Sequence, residues 1–324
     1  MARPRSLLVL DWTGHWYGTG FLADREVVGV DGRPIAVRCT QDRGALPRAD
    51  VVWFHAPTLG PIEDLPERRP GQVWALMTME ALAHHPFPRT EDAGRLFDVH
   101  MSHRLDADVP TPYVGWTEYP GIRQPGPGPA GEPRRDAVLY LASHPIAERD
   151  AVAEALMARV RIESAGACLN NFDAERLVGP RRVNDSNQTR RLVAHYPLVL
   201  AFENAREVDY ATEKLYRPLA CGVVPVVRGA PNVRDLVPDP EAIIDVDDFE
   251  SVEALGDHLA RLLAEPEARG HHLRWRDEGR SAAFDRLATV GDEAPIGRLA
   301  RKVVHGCGPA CDCGGRLRPP GLLP

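Results

Sequence analysis

Short apolar runs alternate along this chain with polar, turn-rich stretches, and the alternation predicts where elements form. In the first 115 residues, Ser6–Leu10, Val51–Phe54, Val73–Met79 and Phe97–Met101 are apolar, often β-branched or aromatic, and bounded by Pro, Gly and Asp. That pattern predicts strands. Proline-rich stretches such as 60–71 predict loops between them. From Gly121 to Pro133 the chain reads GIRQPGPGPAGEP, with four prolines and four glycines. Neither a helix nor a central strand tolerates that composition, so it reads as a linker.

Beyond the linker the pattern becomes regular. Ala137–Ala142 predicts a strand, and Glu148–Val160 a helix with Val152, Leu156 and Val160 on one face. Leu198–Phe202 is wholly apolar, as a parallel strand covered on both sides should be. Thr212 is placed to N-cap a helix running to Ala220, with Gly222 near its end and Pro218 expected to kink it. Val223–Val227 and Ile243–Val246 predict further strands, with a turn at Gly229–Asn232. Ser251 caps a helix carrying Val252, Leu255, Leu259, Leu262 and Leu263 at helical spacing. Strands alternating with helices specify a doubly wound α/β domain, whose ligands bind at the carboxyl ends of the strands. At about 150 residues per domain, 324 residues make two domains. The expected division is an N-terminal domain at 1–120, a linker at 121–135, a second domain at 136–290 and a C-terminal tail at 291–324.

Composition narrows the class. With 44% hydrophobic and 26% charged residues, the chain is neither disordered nor fibrous. No apolar run approaches the roughly 20 residues that span a bilayer, and Leu7–Leu10 is too short for a secretory h-region. The expectation is a cytoplasmic protein with no transmembrane segment. A net charge of −7 offers no general attraction to nucleic acid or anionic lipid. Lys214 and Lys302 are the only lysines among many arginines, and that skew, with abundant Ala, Gly, Pro and Val, suggests a GC-rich bacterial genome. The rarity of lysine sets Lys214 apart. Six cysteines without a leader read as thiols or ligands before disulfides.

The segment with most chemistry runs from Leu198 to Phe249, LVLAFENAREVDYATEKLYRPLACGVVPVVRGAPNVRDLVPDPEAIIDVDDF. Glu203 and Asn204 follow a buried strand, which puts them at the rim of the sheet. Thr212, Glu213 and Lys214 then open a helix, whose free N–H groups and positive dipole end suit an anion beside the lysine charge. A nucleotide diphosphate fits that description. Glu213 could accept from ribose or sugar hydroxyls, and Tyr210 could stack or donate. The plainer readings are a favourable acid in a first helical turn for Glu213 and a solvated helix face for Lys214.

Taken in order and spacing, FEN, YATEK, LACGVVPVVRGAPN and IDVDDF resemble the donor-binding signature of the α-1,3-fucosyltransferases, glycosyltransferase family 10. LYLASHP and IESAGACLNN resemble the opening of that family's donor domain; VWALMTMEALAHHPF resembles its catalytic segment and FDVHMSHRLDADVPTPY the end of its acceptor domain. The likeness covers roughly residues 70 to 265. It implies a GT-B architecture, two Rossmann-like domains facing across a cleft. It implies inverting transfer of L-fucose from GDP-fucose to a hydroxyl of a glycan or glycosylated acceptor. Asn204, Tyr210, Glu213 and Lys214 fall on donor-binding positions, in one segment with Glu203 and Thr212. Glu80 falls on the general base, at the carboxyl end of the Val73–Met79 strand and facing the cleft. An inverting transfer is one in-line displacement, so a single carboxylate takes the acceptor proton while a cation and helix N–H groups stabilise departing GDP. No cofactor is then required, with stimulation by a divalent metal left open.

The chain departs from the family at Ala81, where Ser or Pro usually follows the base, and at His144, which replaces an asparagine. For the phosphate clamp, Arg149 matches a family arginine at a helix start, while Arg181 and Arg182 lie in a loop placed nearer the cleft. Asp245, Asp247 and Asp248 could hold a metal, but a strand end before a helix is the better reading. His305, Cys307, Cys311 and Cys313 have a composition suited to zinc, with a tail disulfide of the kind some family members carry as the competing reading. Cys39, Cys168 and Cys221 read as small buried apolar groups. Trp12, His15, Trp16 and Tyr17 form either an aromatic platform for the acceptor or core packing. Three other functions compete: the same scaffold with another GDP-sugar, a catalytically silent nucleotide-sugar or glycan-binding protein, and an oxidoreductase. The last is weakened because no G-x-G-x-x-G follows a strand.

Overall fold

The computed structural model describes residues 5–15, 21–115, 122, 135–180 and 185–305. They divide into two units, Met1–Pro112 with Thr289–Pro324, and Tyr113–Ala288.

The first unit is built on β1 (Arg5–Asp11), β2 (Arg25–Val28), β3 (Pro34–Thr40), β4 (Val51–His55), β5 (Val73–Thr78), β6 (Val99–Ser102) and β7 (Val109–Pro110). Their order is β2-β3-β1-β4-β5-β6-β7. All neighbours are parallel except β2 on β3. β4 is apolar along nearly its whole length and buried throughout, as a central parallel strand must be. On one face Leu10, Val52, Phe54, Trp74, Leu76 and Phe97 form a core with α1 (Glu91–Leu96), which Thr90 caps by accepting from the Ala93 N–H. The β2–β3 hairpin was absent from the sequence reading. Its signal was Asp31-Gly32 between β-branched runs, and Gly32 takes the left-handed conformation (φ +74°) that such a turn requires.

The second unit holds β8 (Val138–Tyr140), β9 (Ile162–Ser164), β10 (Leu198–Phe202), β11 (Val224–Arg228) and β12 (Ile244–Asp245), all parallel, in the order β12-β11-β10-β8-β9. Its helices are α2 (Ala147–Met157), α3 (Glu175–Val178), α4 (Ser186–Ala194), α5 (Glu213–Ala220), α6 (Val252–Ala264), α7 (Pro266–Leu273) and α8 (Trp275–Glu278). α6 lays Leu255, Leu259 and Leu262 on the same core as Leu156 of α2 and β10 residues Leu198, Leu200 and Phe202. From β8 the chain moves outward to β9, and from β10 it moves the other way, to β11 and β12. The reversal falls between β8 and β10 and opens a crevice beyond their carboxyl ends. The first sheet reverses in the same way between β1 and β4. Each unit is thus Rossmann-like, in keeping with the GT-B expectation.

One close approach shapes the β8–β9 end of the second sheet. A Cβ at Gly166 would stand 2.1 Å from the carbonyl oxygen of Ala142, so only glycine lets the two turns meet. Their contact is sealed by the Cys168 N–H donating to the same carbonyl at 2.9 Å.

The chain then returns to the first unit through α9 (Ala282–Asp292) and α10 (Pro295–His305). α10 buries Ile296, Leu299 and Ala300. The buried Arg298 guanidinium donates to the Pro110 carbonyl at 2.7 Å and to that of Glu293 at 2.6 Å, and Lys302 pairs with Asp108 at 3.1 Å. The expected tail therefore needs correcting: 295–305 is a helix of the first unit, because its apolar face and arginines satisfy that sheet's edge. The units part between Pro112 and Tyr113, ahead of the expected boundary at 120. Most of the expected linker and all of 306–324, with Cys307, Cys311 and Cys313, lie outside the described residues.

Two outcomes follow for stability. Gly166→Ala should cost the second unit at least about 2 kcal/mol, read as a lower urea midpoint, because backbone and not a flexible side chain is in the way. His55, fully buried, is pushed down to about 4 from an ordinary 6.5 by burial, with His15 and His85 adding to it. Between those values the unfolded chain holds the extra proton, so stability falls as pH drops from 6.5 to 4. The loss should reach about 3 kcal/mol, and His55→Gln should flatten the dependence of the urea midpoint on pH.

Candidate active site

The crevice between β8 and β10 receives residues from three segments. After β8 the chain passes His144 and enters α2, which starts with Glu148, Arg149 and Asp150 in its first turn. Arg149 is 1% exposed. Its guanidinium donates to the Asn204 side-chain oxygen at 2.7 Å, the His144 carbonyl at 2.6 Å and the Asp150 carboxylate at 3.0 Å. Tyr140, on β8, donates its hydroxyl to the same carboxylate at 2.6 Å. A buried arginine thus ties the end of β8 to the end of β10, and Asp150 balances its charge. Its hydrogen bonds hold Asn204 at the rim. His144 contributes its backbone to this arrangement. Arg181 and Arg182 lie outside the described residues.

After β10 comes Glu203, 1% exposed, with its carboxylate turned under the loop that precedes α5. It accepts from the Thr212 N–H at 2.7 Å and from the Thr212 hydroxyl at 2.8 Å. The Thr212 hydroxyl in turn caps α5 by accepting from the Lys214 N–H at 3.3 Å. Lys214 Nζ lies 3.4 Å from Glu213 and 3.7 Å from Glu203. Burial pushes the Glu203 carboxyl up, against the pull of Lys214 and the Thr212 hydrogen bonds. Burial draws Lys214 down, but the Glu213 and Glu203 carboxylates outweigh it and hold the ammonium above its ordinary range. For Glu213 the burial effect is likewise outweighed, by Lys214 and then Arg217, which keep it low. The helix start therefore carries a fully charged lysine between two carboxylates, with Glu213 the more open of the pair. A phosphate oxygen would find there a cation at the positive end of a helix.

The approach to this helix is itself fixed. Asp209 sits in the left-handed region (φ +67°). Its N–H donates to the Asn232 side-chain oxygen at 2.9 Å, and the Asn232 amide donates back to its carboxylate at 2.9 Å. Gly229 leaves the room in which Glu203 lies, since a Cβ there would stand 2.9 Å from Glu203 Cγ. The GAPN turn thereby braces the VDYATEK loop. Tyr210, read as a stacking or donating group, is 2% exposed and packs edge-on against Tyr113 with ring centroids 6.4 Å apart. Asp209, Asn232 and Gly229 were not singled out from the sequence as a unit. Only the meeting of two loops reveals the pairing.

In the first unit, Glu80 stands two residues past the end of β5, half-buried, with its N–H donating to the Thr78 hydroxyl at 3.0 Å. Beyond it the Ala81 carbonyl accepts from the N–H groups of His84 and His85, both at 3.0 Å, which makes the turn that carries the glutamate. Of the aromatic cluster, Trp12 is half-buried beneath the Arg43 guanidinium, 4.4 Å from its ring centroid. His15 packs inward against Phe21 and Trp53, with centroids 5.6 and 5.4 Å away, which is the core-packing alternative. Trp16 and Tyr17 lie outside the described residues. A polar cluster missed by the sequence reading lies where the first sheet reverses. Buried Asp11, at the end of β1, accepts from the Gly14 N–H at 2.9 Å and the Gln41 amide at 2.7 Å. His55, at the end of β4, shares a hydrogen bond of 2.9 Å with the Thr58 hydroxyl. Its signal was a polar residue closing an apolar strand.

The remaining candidates resolve into ordinary structure. Asp247 and Asp248 pair with Arg206 and Arg234, and Asp245 caps the Asp247 N–H at 3.1 Å, so these acids are already engaged. His305 lies 3.8 Å from Asp31. Burial pushes the thiols of Cys39, Cys168 and Cys221 up, Cys39 to about 11, which suits inert packing groups.

Comparison with known proteins places this arrangement. A model of the fucosyltransferase N-terminal region matches residues 6–114, and a model of the glycosyltransferase family 10 (fucosyltransferase) C-terminal region matches residues 132–303. A fucosyltransferase-like protein of Arabidopsis thaliana is 31% identical over 226 residues, 69% of this chain and 41% of that protein. GDP-fucose protein O-fucosyltransferase 3 of Danio rerio is 37% identical over 141 residues, 43% of this chain and 31% of its own length. The chain therefore spans less than half of these curated relatives. An α1,3-fucosyltransferase crystal structure superposes with a TM-score of 0.60 at 16% identity, over 100% of this chain and 94% of that one. Another, with GDP-fucose, superposes at 0.55 and 16% identity, covering 86% and 85%. Both likenesses are of fold. With both halves of the family's sequence pattern present in order, the chain belongs to glycosyltransferase family 10, the fucosyltransferases.

Proposed function

We propose that this protein transfers L-fucose from GDP-fucose to an acceptor hydroxyl, with inversion at the anomeric carbon. The observation that carries the reading is the start of α5, where the Lys214 ammonium stands at the positive end of a helix, beside the reversal of the second sheet. Such a site accepts a diphosphate and stabilises the negative charge that develops as it leaves. Lys214 would neutralise departing GDP. Glu213, the more open of the two neighbouring carboxylates, would accept from sugar or ribose hydroxyls. Asn204, held at the rim by Arg149, would meet the same ligand.

Glu80 would be the general base that takes the acceptor proton, from the turn after β5. A carboxylate suits the task because an inverting transfer needs one proton acceptor and no covalent intermediate. The acceptor is a hydroxyl of a glycan or glycosylated molecule. A protein hydroxyl is the second reading, favoured by the likeness to protein O-fucosyltransferases. Arrays of both acceptor types, assayed with GDP-fucose, GDP-mannose and UDP-sugars, separate these readings; an absence of GDP-fucose turnover on every acceptor would refute the donor assignment.

Two substitutions test the roles. Glu80→Gln should lower transfer by about 10²–10⁴-fold while GDP affinity, measured by calorimetry, stays within about twofold. Lys214→Ala should weaken GDP binding itself by at least about tenfold, the loss of one charge-assisted contact. Unchanged affinity would place the diphosphate elsewhere.

A further inference from the structure

Glu203 sits in the donor motif, yet its geometry is that of a support. The side chain is 1% exposed, both its oxygens are taken by Thr212 donors at 2.7 and 2.8 Å, and Gly229 closes the space beside its stem. At that burial neither oxygen is open to a sugar hydroxyl. Because both oxygens accept, the ionised carboxylate is the form whose hydrogen bonds are all satisfied. Its charge faces Lys214 Nζ at 3.7 Å from within, while Glu213 faces the same nitrogen at 3.4 Å from the more open side. An incoming diphosphate can displace the contact with Glu213. It cannot displace the buried one.

We propose that Glu203 is a positioning residue that never touches the donor, and that its buried carboxylate fixes the Thr212 cap and tethers Lys214 for the diphosphate. The proposal rests on the donor reading above and deepens it by dividing the acidic residues of the motif. Glu203 holds the helix start in place with or without ligand, and Glu213 exchanges its lysine contact for one with the ligand. Three links carry the effect: Glu203 to the Thr212 backbone, Glu203 to the Thr212 hydroxyl, and that hydroxyl to the Lys214 N–H. A glutamine at 203 keeps the shape but replaces one of the two acceptors with an amide donor facing the Thr212 hydroxyl, and it removes the inner charge from Lys214.

The chain offers a direct readout, since Lys214 and Lys302 are its only lysines. In protein labelled with ¹³Cε-lysine, each titrates as its own signal, and Lys302, paired with Asp108 in the other unit, is the internal control. In E203Q the Lys214 titration should move down while that of Lys302 stays in place. The donor KM should rise at least about tenfold with kcat changed less than about threefold, the loss of a ground-state binding geometry. T212A should raise the donor KM similarly, T212S should restore it, and the E203Q/T212A pair should be no worse than the poorer single variant, because both cut one chain of contacts. An E203Q protein with unchanged Lys214 titration, or one that loses kcat at constant KM, overturns the proposal. Should E203Q fail to fold, additive losses in T212A combined with K214A would overturn it equally. Wild-type protein that binds no GDP would refute the donor reading, while the Lys214 titration would still decide the tether.

Discussion

A buried negative charge under a helix start organises the second unit. Glu203 is carried to the end of β10 by a strand that is apolar throughout, and there it meets a threonine whose N–H and hydroxyl both need acceptors. A carboxylate is costly to bury without partners. Here two hydrogen bonds and a lysine 3.7 Å away offset part of that cost. Those two bonds close the loop from 205 to 211 onto the end of β10 and fix where α5 begins. The Asp209–Asn232 pair and the space over Gly229 serve the same end from the neighbouring turn.

Around this centre, charges are arranged in balanced sets. Arg149 has Asp150, Lys214 has Glu203 and Glu213, and Asp247 and Asp248 have Arg206 and Arg234. Only in the second set does one cation face two acids with one of them open to exchange. The outer pairs near Asp247 and Asp248 shape the surface and add little to stability.

Much of this was legible in the chain. Leu198–Phe202, Thr212 as a cap, and the helix with Leu255 and Leu259 were all read from apolar spacing and cap chemistry, and the structure holds them within a residue or two. These are local signals, set by the next few residues. The β2–β3 hairpin, the return of α10 to the first sheet and the Asp11–His55 cluster escaped. The hairpin carried a local turn signal at Asp31-Gly32; the other two depend on partners roughly thirty or more residues away, or on an edge that only the assembled sheet defines.

The sequence by itself determined which residues could carry chemistry and the family to which they belong, because motif order and strand–helix rhythm are written in neighbouring positions. Which of two acids in the same segment is buried and which is open was settled only by the tertiary structure. Glu203 and Glu213 are the same residue type ten positions apart, and composition ranks them alike. One lies at the end of a buried strand beneath a glycine turn, the other on the half-buried first turn of a helix. Burial, and the donors that burial brings within reach, engaged both oxygens of the first and left the second the more open of the two.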